Sequence, residues 1–153
     1  MAELPHFDLI TIKRHFDAER TIVFAAFADR ETYARWACPA PGIKTSVNPF
    51  RFEEGGEALT VMNGDDMPEF INHDRFEEII PNERIVQLTT LRAGGSLDFA
   101  GVVTLHFAED GSGTLLTMTE QGVYPLDPQS PSMHQEGWNT MFDNLQLVLK
   151  TSI

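Results

Sequence analysis

One stretch constrains the fold more than any other: residues 134–150, HQEGWNTMFDNLQLVLK. Its apolar residues Trp138, Met141, Phe142, Leu145, Val148 and Leu149 recur at spacings of three and four, so one face of a helix carries them all. Glu136, Asn139, Asp143, Asn144 and Gln146 fall mostly on the other face. A helix of about sixteen residues is roughly 24 Å long, enough to cross a small sheet. Such a stripe must be buried against something, and the rest of the chain reads mainly as strands. Two starts compete: Ser130 as a cap before Pro131, or Ser132 with Gln135 as a capping box. Lys150 suits the negative end of the helix dipole. Gly137 inside the helix costs roughly 1 kcal/mol relative to alanine, so a close neighbour is expected there, either a strand or the bend near Trp36.

The preceding chain supplies the surface to be covered. Residues 7–16 alternate as a first strand. Asp17 is the expected cap of a helix over 18–28 that turns Ile22, Val23, Phe24 and Phe27 inward. Asp29 caps a second short helix over 30–37 that buries Tyr33 and Trp36. The run Cys38-Pro39-Ala40-Pro41-Gly42 then stops helix propagation. Strand patterns follow over 43–52, 57–62, 69–80, 84–91, 102–108 and 114–124, separated by glycine- and asparagine-rich turns. Pro49 marks the first of these as an edge or a bulged strand. The sum is an α+β chain: an antiparallel sheet of about six or seven strands, two short helices and a long terminal helix. No repeat or linker divides it, so one domain over 1–153 is expected.

Charge and composition exclude several roles. The formal net charge is −12 and no cluster of lysines or arginines interrupts it, so nucleic acid and anionic membranes are poor partners. No apolar stretch approaches the ~20 residues of a membrane helix. The opening MAELPHFDLI lacks the basic region and apolar run of a signal peptide. The single cysteine, Cys38, cannot form an internal disulfide, and a cytoplasmic setting follows as the expectation. Nothing in the sequence selects between a monomer and a homodimer.

Ordered landmarks add a resemblance. Phe16-Asp17-Ala18, residues 23–27 (VFAAF), Asp29 and Trp36 open the series. Phe52 with Gly55-Gly56, residues 76–86 (FEEIIPNERIV), 103–107 (VTLHF), 113–119 (GTLLTMT) and Gly137-Trp138 continue it. Together they resemble the activator of Hsp90 ATPase homologue 1-like (AHSA1) family of the START-like (SRPBCC) superfamily. The resemblance covers nearly the whole chain. It implies the helix-grip fold, in which a curved antiparallel sheet is crossed on its concave face by the terminal helix. It implies no shared catalytic set, because members look like carriers, sensors, stress-linked proteins or, in the founding case, stimulators of a chaperone ATPase. The chain departs from the family pattern at Arg30, often proline, and at Ala37-Cys38-Pro39, often a second tryptophan followed by glycine-proline.

The residues themselves yield few chemical constellations. His6, His15, His73, His106 and His134 contain no i, i+4 pair, so no zinc motif and no cofactor are expected. His73 and Asp74 are strand neighbours that point to opposite faces, and an exposed polar strand edge is the plainer reading of them. Glu120 shares parity with Leu116 and Met118 and so faces the helix, unless a bulge at Gln121-Gly122 turns it to solvent. Arg51, Arg84 and His134 are its candidate partners. Large aromatic and methionine side chains could line an apolar space under the helix. The candidate lining residues are Trp36, Phe50, Phe52, Met62, Phe70, Phe76, Met118, Glu120, Trp138, Met141 and Phe142. The leading expectation is non-catalytic binding of a small hydrophobic molecule. The alternatives are a chaperone-associated interaction module, and a cyclase, lyase or hydrolase using Glu120 or a histidine.

Overall fold

A computed structural model describes residues 3–151. The elements in chain order are β1 (His6–Phe16), α1 (Arg20–Ala28), α2 (Arg30–Trp36), β2 (Lys44–Phe50), β3 (Glu57–Asn63), β4 (Phe70–Ile80), β5 (Arg84–Ala93), β6 (Ser96–Asp110), β7 (Gly113–Tyr124) and α3 (Ser130–Thr151). The strands form one antiparallel, curved, open sheet in the order β1-β7-β6-β5-β4-β3-β2. Strands 2 to 7 are thus a meander, and only β1 pairs out of sequence, against β7. The long helix α3 lies across the sheet, which makes the fold the α+β helix-grip arrangement.

Local chemistry explains most boundaries. Asp29 accepts from the Thr32 backbone N–H (2.9 Å) and hydroxyl (2.7 Å), so it caps α2. Asp17 does not cap α1: its carboxylate meets His15 Nε2 (3.1 Å), the Ala18 carbonyl accepts from Thr114 (2.7 Å), and the helix starts later, at Arg20. Ile22 is 43% exposed rather than inward. At 100° per residue it stands roughly 120° round the helix from the centre of the face made by Val23, Phe24, Ala26 and Phe27. Strand β2 is an edge strand whose register shifts between Val47 and Phe50, the place where Pro49 withholds a donor. Helix α3 uses neither expected cap. Ser130 is its first residue, and the Ser130 hydroxyl donates to Asp98 (2.6 Å) rather than capping the helix; Ser132 lies inside it.

The apolar faces meet as the 3.6 and 2.0 periodicities require. From α3, Phe142, Leu145, Val148 and Leu149 are buried against Ile10, Ile12, Phe16, Leu116 and Met118 of the sheet and against the α1–α2 pair. Trp36 fills the centre, 1% exposed, with its indole N–H donating to the Ala26 carbonyl (2.9 Å). Asn144 is not a solvent-facing residue. Its amide donates to the Cys38 carbonyl (3.0 Å) and so ties α3 to the chain leaving α2. Arg14 of β1 holds Asp143 of α3 (2.7 Å). The C-terminal half of α3 is therefore clamped down, and the space that remains lies under its N-terminal half.

Candidate functional site: a pocket between α3 and the sheet

Three strands present one face to that space. Thr60 and Met62 of β3, Phe70, Asn72 and Asp74 of β4, and Gln87, Thr89 and Leu91 of β5 alternate along their strands and line a pocket of about 200 Å³. Helix α3 closes it with Met133, His134, Gly137, Trp138 and Met141, and the chain after α2 adds Ala37, Pro39 and Ile43. Most of this wall is carbon. Two polar groups interrupt it.

The first joins β6, β7 and α3. Strand β7 pairs without a register shift on both sides, Glu120 opposite Ile10 and Val103, so no bulge intervenes and the Glu120 side chain is inward, 3% exposed. Its carboxylate accepts from Tyr124 (2.8 Å), from His134 Nδ1 (2.7 Å) and from the Trp138 indole (3.0 Å). The residue between Glu120 and Tyr124 on that face is Gly122, so no side chain separates them. His134 Nε2 reaches Asp98 (2.8 Å), which also accepts from Ser130. Asp98 has the wrong parity to point inward. The register shift between Leu91 and Arg92 leaves it without a partner on β5, and that bulge turns it in beside Phe99.

Electrostatics follow from this geometry. Burial opposes charge on His134, but two carboxylates at hydrogen-bond distance outweigh it and push its pKa up to about 9. The ring is an imidazolium that donates from both nitrogens. Burial works against the charge of Asp98 too, yet His134 and Ser130 bring its pKa below the usual carboxylate range. The Tyr124 hydroxyl stays protonated, held up by burial and by the Glu120 carboxylate. Among the described residues no group of three or more His, Cys, Asp or Glu side chains is arranged to hold a metal ion. Here the reason is plain, since the imidazole lies between its carboxylates and the donors do not converge.

The second polar group is Asp74 on β4, 2% exposed. Thr89 (2.7 Å) and Gln87 (3.1 Å) donate to its Oδ1 and Asn72 (2.9 Å) to its Oδ2, all three neutral. Burial dominates, the hydrogen bonds offset only part of it, and the pKa rises to about 6. The Tyr33 hydroxyl is also held protonated by burial and by Asp74 nearby. Thr60 is 2% exposed, and its hydroxyl lies beside that of Tyr33 as a hydrogen-bonding neighbour, in a geometry short of a well-formed bond.

Of the residues singled out from sequence, Met62, Phe70, Glu120, Trp138 and Met141 lie on this pocket. Phe50, Phe52 and Phe76 lie instead in an aromatic cluster near α1: Phe52 meets Phe24 edge-on, Phe76 meets both Phe50 and Phe52 edge-on, and Phe50 stacks on Phe52. Trp36, Met118 and Phe142 are solid core at 1% exposure or less. Their inward direction is right, but their neighbours fill the space in front of them. His73 and Asp74 do point apart, as strand geometry requires, with His73 paired to Glu57 outside (2.8 Å). The exposed strand edge expected of Asp74 is corrected: it belongs to the pocket. Parity with Phe76 carried that signal. Asp98 carried none, because a bulge is a property of the pairing and not of the strand alone. Arg84 pairs with Glu78 (2.7 Å), so of the three candidate partners of Glu120 it is His134 that reaches it.

Comparison with known proteins adds the following. The family described as Activator of Hsp90 ATPase homolog 1-like protein matches residues 17–150. The crystal structure of the Mll3558 protein from Rhizobium loti is similar at 29% identity and a TM-score of 0.84, over 95% of this chain and 99% of that one. A protein from Rhizobium leguminosarum aligns at 22% identity and a TM-score of 0.86, over 97% of both chains. The AHSA1-like protein from Aeromonas hydrophila aligns at 21% identity and a TM-score of 0.74, over 95% of this chain and 94% of that one. No curated protein matches the sequence.

Proposed function

Because the chain belongs to the activator of Hsp90 ATPase homologue 1-like family, we propose that it binds a small, largely apolar molecule in the pocket under the N-terminal half of α3. The observation that carries this reading is the pocket itself: about 200 Å³ bounded by Met62, Phe70, Leu91, Trp138 and Met141, where the neighbouring aromatic cluster of Phe50, Phe52 and Phe76 leaves only about 10 Å³. A cavity of about 150 Å³ accepts a benzene ring, so a guest of one ring and a short chain fits here. Methionine walls adapt to such guests. Glu120 supports binding more than acid–base catalysis, because both of its oxygens are already engaged by Tyr124, His134 and Trp138.

Native mass spectrometry of freshly purified protein, with a thermal-shift screen of single-ring compounds, tests the reading. A guest at a hundred times its dissociation constant adds about 2.7 kcal/mol of stability, a clear shift in melting point. Protein that carries no guest and responds to no compound would refute it. The family description carries a second reading, a chaperone-associated interaction module. The net charge of −12 offers an acidic surface to a basic partner. Binding to a purified chaperone at low salt, abolished at high salt, is the result that reading expects.

A further inference from the structure

The chemistry of the wall narrows the class of guest. Among the described residues no lysine or arginine lines the pocket; its ionisable groups are Asp74, Asp98, Glu120, His134 and Tyr33. The one cation, His134, spends both ring nitrogens on Asp98 and Glu120. A carboxylate or phosphate entering here finds no free positive charge and faces three acidic side chains.

Asp74 is the opposite case. It has hydrogen bonds but no counter-charge in contact with it, since Asn72, Gln87 and Thr89 are all neutral and His73 acts on it only from the other face. Its Oδ1 accepts two of them and its Oδ2 only one, which leaves an acceptor position on Oδ2. The basic residue next to it, His73, points to the other face and is paired with Glu57. Thr60 stands beside Asn72 in register across β3 and β4, and its buried hydroxyl, with only the Tyr33 hydroxyl near it, keeps a lone pair to offer. A free position on Asp74 Oδ2 and a hydroxyl oxygen with a lone pair to spare, at one end of an apolar space, describe the complement of a donor with more than one N–H.

We infer, resting on the reading of the pocket as a binding site for a small apolar molecule, that its guest is an apolar primary amine, with the ring against Trp138 and Met141 and the ammonium group against Asp74 and Thr60. Each feature then has a use. The ammonium supplies the charge that Asp74 lacks, and the polar hydrogens it presents exceed what one carboxylate oxygen consumes. The cluster around His134, whose hydrogen-bonding atoms are engaged with one another, contributes a rigid wall and takes no part in recognition.

A matched series on one skeleton tests this: 2-phenylethylamine, 2-phenylethanol, phenylacetate and ethylbenzene, titrated calorimetrically at pH 7.5 into the full chain. The amine is expected to bind about tenfold more tightly than the alcohol, the worth of one partly desolvated ion pair at roughly 1.4 kcal/mol per decade, and phenylacetate more weakly than either neutral compound. In Asp74→Asn the amine-to-alcohol ratio should fall to about one, the scale set by removing that pair. Thr60→Val, which keeps the side chain's shape, should weaken the amine severalfold and leave ethylbenzene as it was. Equal binding of all four compounds, or a preference for phenylacetate, overturns the amine assignment and leaves the apolar-guest reading standing. An amine preference that survives both substitutions places the amine on the acidic surface and overturns the assignment as well. No binding by any member removes both readings.

Discussion

Asp74 on β4 and Glu120 on β7 are buried carboxylates on the same face of one sheet, and they are made tolerable in different ways. Glu120 shares an imidazolium with Asp98, so one positive charge offsets part of their two negative charges and three elements are fastened together at once. Asp74 has only neutral donors, which occupy three of its acceptor positions without offsetting its charge. The first arrangement is closed and structural: whatever enters the pocket finds its atoms engaged. The second is open, and its residual cost is borne by the fold until something cationic arrives. A buried polar group that is hydrogen-bonded is not thereby neutralised, and the two carboxylates separate those requirements.

Breaking the closed cluster should have the largest effect. His134→Ala leaves Asp98 and Glu120 facing each other without a cation, and loss of one partner from a buried pair costs about 3–5 kcal/mol. Urea unfolding should show that loss near pH 7. The pH dependence identifies its origin. His134 has a raised folded pKa, so its contribution is complete below pH 6.5 and fades as pH rises through about 9. The wild type should therefore weaken between pH 7 and 10 by on the order of 3 kcal/mol, and His134→Ala should lack that alkaline decline. Asp98, with a depressed pKa, contributes above its unfolded value of 3.8 and loses that contribution only in stronger acid.

The open carboxylate predicts the opposite sign. A folded pKa raised to about 6 means that the unfolded chain gives up this proton first as pH rises, so the stability associated with Asp74 falls between pH 4 and 6. Asp74→Asn removes the ionisation and keeps the shape. It should stabilise the unliganded protein by about 1–2 kcal/mol at pH 7 and have no effect at pH 3.5, where both forms are neutral. Parallel melting curves at the two pH values decide it; a destabilisation at pH 7 would mean that the carboxylate is already compensated. A smaller change is expected at Ser130, whose hydroxyl is the lesser support of Asp98. Ser130→Ala should cost about 1 kcal/mol with His134 left in place.

This contrast also sets the limit of what the chain's pattern discloses. The closed cluster was half legible: strand parity pointed Glu120 inward, and His134 was among its candidate partners, because both lie on regular elements whose periods fix direction. Asp98 was not, since its inward turn depends on an extra residue in β6 relative to β5, and pairing register is absent from a single strand's alternation. Asp74 was legible by parity with Phe76 but read as an edge residue, because a charged side chain in a strand is ordinarily outside. The aromatic set fails differently. Phe50, Phe52 and Phe76 are all inward, yet which inward residues touch and which leave a gap is decided by the volumes of neighbours from other elements, here Phe24 and Tyr33. Element order, strand count and, apart from Ile22 and Asn144, helix faces were recoverable; the partition between core and pocket was not.

The smallest predicted effect tests where that partition runs. Gly137 sits on the pocket side of α3, and a β-carbon placed there would stand 3.4 Å from the Pro39 side chain, at the near edge of ordinary contact. The bend after α2 is thus the neighbour that the helical glycine implied, but it does not forbid a methyl group. Gly137→Ala should gain most of the roughly 1 kcal/mol of helix propensity and lose part of it to crowding, for a net stabilisation of about 0.5 kcal/mol. The same methyl takes volume from the pocket, so ethylbenzene should bind more weakly to the more stable protein. If stability and binding rose together, the methyl group would be filling a gap between α3 and the Pro39 bend, and the pocket wall would be made by Trp138 and Met141 without Gly137.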